Sequence, residues 1–235
     1  MATAPESFAA NTQPSSAAGG GSRVVLVGPE YCSPYPVELA MKRKVVSRSE
    51  KLAFFDVSNN NILFRVQSFG FNRRKLRILD AAGVPILTIN PPKAFSCTGR
   101  RQVFREEGNH LICSVRNSVS AFFQTKKKVY LANNTTEDLC DFQIKRRCFE
   151  DSYVVYACES KTAIIAEIHE PPPKFFSSGK DKFRVTIQPN IDHAFIVALT
   201  VILDAMKSDG GGGGAGGGGI GTGGGGGVAA GGGVD

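Results

Sequence analysis

One segment near the end of the chain decides what the rest must build. Ile191 to Met206, IDHAFIVALTVILDAM, is the one long apolar stretch. At helical spacing Phe195, Leu199, Ile202 and Met206 share a face, and Ile196, Val197, Val201 and Leu203 fill the others. A helix that is apolar all round is buried either in protein or in lipid. This one is shorter than the ~20 apolar residues that cross a bilayer. Asp192, His193 and Asp204 would also meet the membrane interfaces at a cost. The sequence therefore predicts a core helix, with Phe195, Leu199, Ile202 and Leu203 buried in protein.

What precedes the helix reads as strands. LAFFDV and ILFRVQS flank Asn59, Asn60 and Asn61, residues that tolerate left-handed turn geometry. KLRILD and VPILTI flank Gly83, and RQVFRE and HLICSVR flank Gly108. VELAMKRK comes before these, and KKVYLA, CDFQIKRRC, YVVYAC, AIIAEIHE and KFRVTIQP follow. The pattern predicts a mainly β domain of about twelve strands and a single long helix. The economical place for an all-apolar helix in such a domain is inside the sheet, as the axle of a closed barrel. Pro189 ends the last strand, and Asp192 is placed to cap the helix N-terminus.

The ends differ from this core. Residues 1–22 are rich in Ala, Ser, Thr and Gly, and the segment from 209 to 235 is dominated by glycine. Such chains lose much entropy on ordering and have little to bury. The predicted organisation is a disordered segment 1–22, one domain 23–208, and a disordered Gly-rich tail 209–235. The N-terminus has no basic start or apolar run of a secretory signal, and Ala2 excludes myristoylation. Six cysteines, at 32, 97, 113, 140, 148 and 158, form no CxxC pair. Cys113 and Cys158 lie in apolar strand-like runs and read as small core residues. A reducing, cytoplasmic setting follows, with peripheral attachment to the plasma membrane and entry to the nucleus both left open.

Charge points to a partner class. All 28 Lys and Arg lie between Arg23 and Lys207, and three of the 21 acids, Glu6, Asp209 and Asp235, lie outside that region. The domain thus carries 28 − 18 = +10, against +7 for the whole chain. Such a surplus favours anionic lipid, acidic protein or nucleic acid, the last being the weakest of the three readings. The cations come in runs: Lys42-Arg43-Lys44, Arg73-Arg74-Lys75-Arg77, Arg100-Arg101, Lys126-Lys127-Lys128 and Lys145-Arg146-Arg147. Alternate residues of a strand share a face. This singles out Lys42 with Lys44, Lys126 with Lys128, and Lys145 with Arg147 as candidate anion-binding or lipid-binding pairs. The competing reading is a basic edge that resists aggregation.

Motifs for catalysis or metal are missing. SSGKD at Ser177–Asp181 lacks the first Gly of a phosphate loop and has Asp181 where Ser or Thr is required. His110, His169 and His193 are scattered outside any metal-ligand spacing, and no GxSxG occurs. The sequence therefore predicts no catalytic residues, no cofactor and no metal.

FDVSNNNILFRV, LDAAGVPILTI and GKDKFRVTIQPNIDHAFIVALTVILDAM together resemble the plant LURP-one-related family, over roughly Val24 to Lys207. The resemblance implies the tubby-like fold, a closed barrel of twelve strands around a central hydrophobic C-terminal helix. It also implies kinship with tubby-like proteins and phospholipid scramblases, and an association with plant defence. The absence of Trp from RRQVFREEGNHL and the glycine tail depart from the family pattern. The function expected on these grounds is non-enzymatic: binding or tethering to anionic phospholipid, phosphoinositide included, or to a protein partner. Scramblase-type lipid handling and an unrecognised hydrolase are the alternatives.

Overall fold

The computed structural model describes residues 23–43, 49–70, 74–93, 99–119, 125–147, 151–159, 163–170 and 181–210. Segment 1–22 and residues 211–235 of the tail 209–235, read above as disordered, lie outside them; Asp209 and Gly210 correct that boundary, as they belong to the C-terminal helix, where Asp209 pairs with Arg101. Twelve antiparallel strands close into one up-and-down barrel in which each strand pairs with its sequence neighbours and the first pairs with the last. The strands are β1 (Val37–Arg43), β2 (Glu50–Asp56), β3 (Ile62–Phe69), β4 (Lys75–Leu79), β5 (Pro85–Asn90) and β6 (Arg101–Arg105). They continue as β7 (Leu111–Val119), β8 (Thr125–Leu131), β9 (Phe142–Arg146), β10 (Ser152–Ala157), β11 (Ile164–His169) and β12 (Asp181–Ile187). Closure is made by β1 against β12, with Val37 opposite Ile187 and Met41 opposite Phe183.

A barrel of eight strands fills its interior with its own side chains, and a wider one leaves space. Here that space is taken by α1 (His193–Gly210). Phe195, Leu199, Ile202 and Leu203 are all at most 1% exposed, and Ala194, Ile196, Val197, Ala198 and Val201 are equally enclosed. Inward residues of the wall meet them, among them Leu39, Phe54, Val66, Ile78, Leu87, Val103, Val115, Val129, Ile144, Val155, Ile168 and Val185. Phe195 packs on Phe142 with ring centroids 5.2 Å apart. Burying each large side chain of this kind stabilises the fold by about 1.5–3 kcal/mol. The one hydroxyl on the buried part of the helix, Thr200, donates to the Ile196 carbonyl at 2.9 Å, so it brings no unsatisfied polar group into the core.

The turns follow local chemistry. Asp56 accepts from the Ser58 N–H and hydroxyl and from Asn59 Nδ2, which holds its carboxyl below the usual range, and Asn60 takes φ 57°. At Asp80–Val84 the Val84 N–H donates to Asp80 Oδ1 at 2.8 Å, and Gly83 supplies φ 87°.

Residues 23–36 close the barrel end beneath the helix N-terminus. Val24 bridges Ile191 and Cys32 bridges Asp192. Asp192 is fully buried. Its Oδ1 accepts from the Phe195 N–H at 3.1 Å, an N-cap, while Oδ2 accepts from the N–H groups of Leu26, Val27 and Gly28 at 3.1, 2.6 and 3.1 Å. One carboxylate thus starts the helix and pins the chain segment that stoppers the barrel.

Candidate functional site

Strand parity sorts the charges. In an up-and-down barrel all even strands start, and all odd strands finish, at one end. Here that is the end where α1 finishes, since the helix follows β12 and runs back through the bore. Lys42 and Arg43 close β1, Arg74 and Lys75 open β4, Arg100 and Arg101 open β6, Lys126 to Lys128 open β8, and Lys145 to Arg147 close β9. Five runs scattered through the sequence therefore gather at one end of the barrel, joined there by Lys93, Lys182 and Lys207. Arg77 is the outlier, in mid-strand and bonded to Glu106 at 2.8 Å. Lys44 and Arg73 lie outside the described residues.

The opposite end has the reverse character. Its turns and the closing segment carry Glu30, Asp56, Asp80, Glu106, Glu107, Asp138, Asp141 and Glu159. Burial, followed by Glu30, Asp80 and Asp192, pushes the Tyr31 phenol up, a local sign of the negative field. The exposed large apolar side chains among the described residues, Val25, Tyr35, Val57, Val84 and Leu139, are all at this acidic end.

The acids described at the basic end are committed to ion pairs. Asp151 holds Arg146 at 2.9 Å, Asp209 holds Arg101 at 2.5 Å, Glu167 holds Arg147 at 3.2 Å, Asp204 holds Lys182 and Glu170 holds Lys207. Among the described residues Arg43, Arg74, Lys75, Lys126, Lys127, Lys128 and Lys145 make no ion pair.

The sequence-chosen candidates divide into two places. Lys126, Lys128 and Lys145, with Arg147 just beyond the strand, stand on the outer face of β8 and β9. Lys127 lies opposite Ile144 and Lys128 opposite Gln143, so the same register sets Lys126 beside Lys145. Lys128 is also opposite Arg116 of β7. Like charges directly across a sheet are destabilising; Glu137 offsets Arg116 at 3.1 Å, whereas Lys126, Lys128 and Lys145 make no ion pair among the described residues. Lys145 lies 4.8 Å from the centroid of the Tyr156 ring, and Arg116 lies 4.4 Å from that of Tyr130, which fixes both cations against the wall. Lys42 stands apart on β1. Its Nζ is 3.9 Å from Asp181, 3.4 Å from Asn60 Oδ1 and 4.7 Å from the Phe55 ring centroid.

Two cations that sequence reasoning passed over face the bore instead. Lys127 is 7% exposed, and burial, then the charge of Lys207, holds its ammonium below the ordinary lysine range. Arg101 is 4% exposed. The available signal was alternation: Lys127 shares a face with Val129, and Arg101 shares one with Val103, both core residues.

The described residues offer little for catalysis. His169 lies 3.4 Å from Glu167 on the outer surface, and burial at the helix start holds the His193 imidazole below its ordinary range. No group of three metal-ligating side chains occurs among them. Cys113 is fully enclosed on β7, its thiol pushed up to about 12. Cys158 corrects the core reading: it lies just past the end of β10 and is only half-buried, beside Cys140.

Comparison with known proteins places this architecture. The family described as LURP-one-related matches residues 37–204. Protein LURP-one-related 15 of Arabidopsis thaliana is 38% identical over 206 residues, covering 85% of this chain and 92% of the relative. Protein LURP1 of the same plant is 39% identical over 191 residues, covering 79% and 91%. An X-ray structure of an Arabidopsis thaliana protein superposes with a TM-score of 0.55 at 35% identity, covering 78% of this chain and 98% of that one.

Proposed function

This chain belongs to the LURP-one-related family, and we propose that it is a non-enzymatic binding protein that docks its basic barrel end on anionic membrane lipid. The plant defence signalling that the resemblance implies is the setting. The observation that carries the reading is the gathering of five separate basic runs at one end, with Arg43, Lys75, Lys126, Lys128 and Lys145 making no ion pair among the described residues. Each Lys or Arg near an anionic bilayer contributes on the order of 1 kcal/mol. Among the described residues the exposed large apolar side chains are at the other end; the attachment proposed is electrostatic, and salt screens it over about 10 Å at 0.1 M.

The scramblase-type reading would require α1 to leave the bore and expose Phe195, Leu199, Ile202 and Leu203 to lipid. Among the described residues no helix is long and apolar enough to cross a membrane. Sedimentation with phosphatidylcholine vesicles, with and without phosphatidylserine, tests the proposal. Binding should need the acidic lipid, fall steeply as salt rises, and drop in a Lys126→Glu, Lys145→Glu double variant. Absence of binding at low salt removes the lipid reading in favour of an acidic protein partner. Retention in the pellet at high salt, with release by detergent alone, would mean an inserted helix.

A further inference from the structure

The two inward cations at the basic mouth differ from the outer ones in a way that general charge attraction does not require. A buried ammonium without a partner is costly, and a well-packed apolar residue of similar size would relieve that cost. Lys127 is 7% exposed and forms no hydrogen bond or ion pair among the described residues. Arg101 has a side chain only 5% exposed, and its Nε is buried with no partner. Its one carboxylate, Asp209, belongs to the last turn of α1 and is 49% exposed.

The register brings the two together. Arg101 is opposite Val115, and Val115 is opposite Val129, so Arg101 and Val129 are level on either side of β7. Lys127 is the next inward residue toward the rim. Strands two places apart are about 10 Å from each other, a gap within the combined reach of two long side chains. Lys207 approaches from α1 and contributes to the field on Lys127. Three cations thus surround the mouth, while Asp209 and Glu170 balance only Arg101 and Lys207.

We infer that this mouth is a discrete site for one phosphomonoester group, held by the Arg101 guanidinium and the Lys127 ammonium, with Asp209 as the carboxylate that the phosphate displaces. A phosphomonoester carries about −1.5 to −2 charge at pH 7 and three acceptor oxygens. That suits one guanidinium fork plus one ammonium better than a single carboxylate does. The inference rests on the docking reading for the source of the phosphate, a phosphoinositide headgroup. The site itself rests on Arg101 and Lys127, and a soluble inositol phosphate presents the same chemistry.

The test uses the full chain, titrated calorimetrically with inositol trisphosphate and sedimented with vesicles containing either phosphatidylinositol bisphosphate or phosphatidylserine. Lys127→Met should weaken inositol trisphosphate about tenfold or more, with a melting temperature equal to or above the parent's. Lys126→Met and Lys128→Met should each weaken it far less. Asp209→Ala should tighten it, a change of opposite sign that damage to the fold would not produce. Equal losses for Lys127→Met and Lys128→Met, or weaker binding in Asp209→Ala, would leave only a diffuse basic field and overturn the site. Binding to phosphatidylserine vesicles without binding to inositol trisphosphate also overturns it, while sparing the docking reading. Binding of inositol trisphosphate with no vesicle binding supports the site and discards the membrane as its source.

Discussion

Replacing Asp192 by Ala should be among the most damaging single changes in this protein. The carboxylate accepts four backbone N–H groups, those of Leu26, Val27, Gly28 and Phe195, from a position with no solvent exposure. Loss of an N-cap alone costs about 1 kcal/mol. Each buried donor left without a partner costs about 1–3 kcal/mol. Water entering the vacated volume would satisfy some of the four, so the expected loss is about 4 kcal/mol, a large share of the ~5–15 kcal/mol that holds a typical domain together. Asp192→Asn keeps one acceptor oxygen, turns an amide toward donors, and should fall between Ala and the parent. Urea denaturation followed by far-ultraviolet circular dichroism measures both. The slope should stay unchanged, so that the midpoint shift reports stability. Amide exchange at Leu26, Val27 and Gly28 should accelerate in the Ala variant. A loss under 1 kcal/mol, or unchanged protection at those three amides, would mean that the closing segment holds without the carboxylate, and the clamp reasoning would be wrong.

Leu199→Ala should cost about 2–5 kcal/mol in the same assay, as the helix cannot shift within a closed wall to fill the cavity. Cys113 should resist maleimide at pH 8 in the native protein and react only after denaturation, as its thiol is enclosed and pushed up to about 12; rapid native labelling would contradict its burial. His193 is depressed by burial, so the unfolded chain binds the proton more tightly. Stability should therefore fall as pH drops through about 6.5 and level off below the depressed value. His193→Gln should flatten that part of the pH profile; an unchanged profile would assign the slope to other groups.

The helix was legible because its apolar residues leave no face for water, and that property alone demands a wall on every side. The strands were legible from alternation and turn residues such as Asn60, Gly83 and Gly108. The N-cap role of Asp192 was legible from its place after Pro189. Its hold on Leu26, Val27 and Gly28 was not, because those donors come from the far end of the sequence. The convergence of the basic runs was hidden for a similar reason. Each run is a local event at a strand end, and only the odd–even count of strands shows that the ends coincide. Pairing Lys126 with Lys128 identified an outer face and left Lys127 between them unexamined, although it alternates with core Val129. Lys42 looked equivalent in sequence and is instead tied to Asp181 and Asn60.

Closure of β1 on β12 has a consequence for synthesis. The first strand to leave the ribosome has one of its two neighbours, and the helix that covers its inner face, encoded at the far end of the domain. Until then a growing sheet presents an open edge and an uncovered apolar face, the features that favour misassociation. The contacts that finish the molecule span nearly its whole length, so folding should be slow for its size and late in translation. Nascent chains halted before α1 should be captured by chaperones and cut by protease, and protection should come as a single step when the residues through Gly210 have emerged.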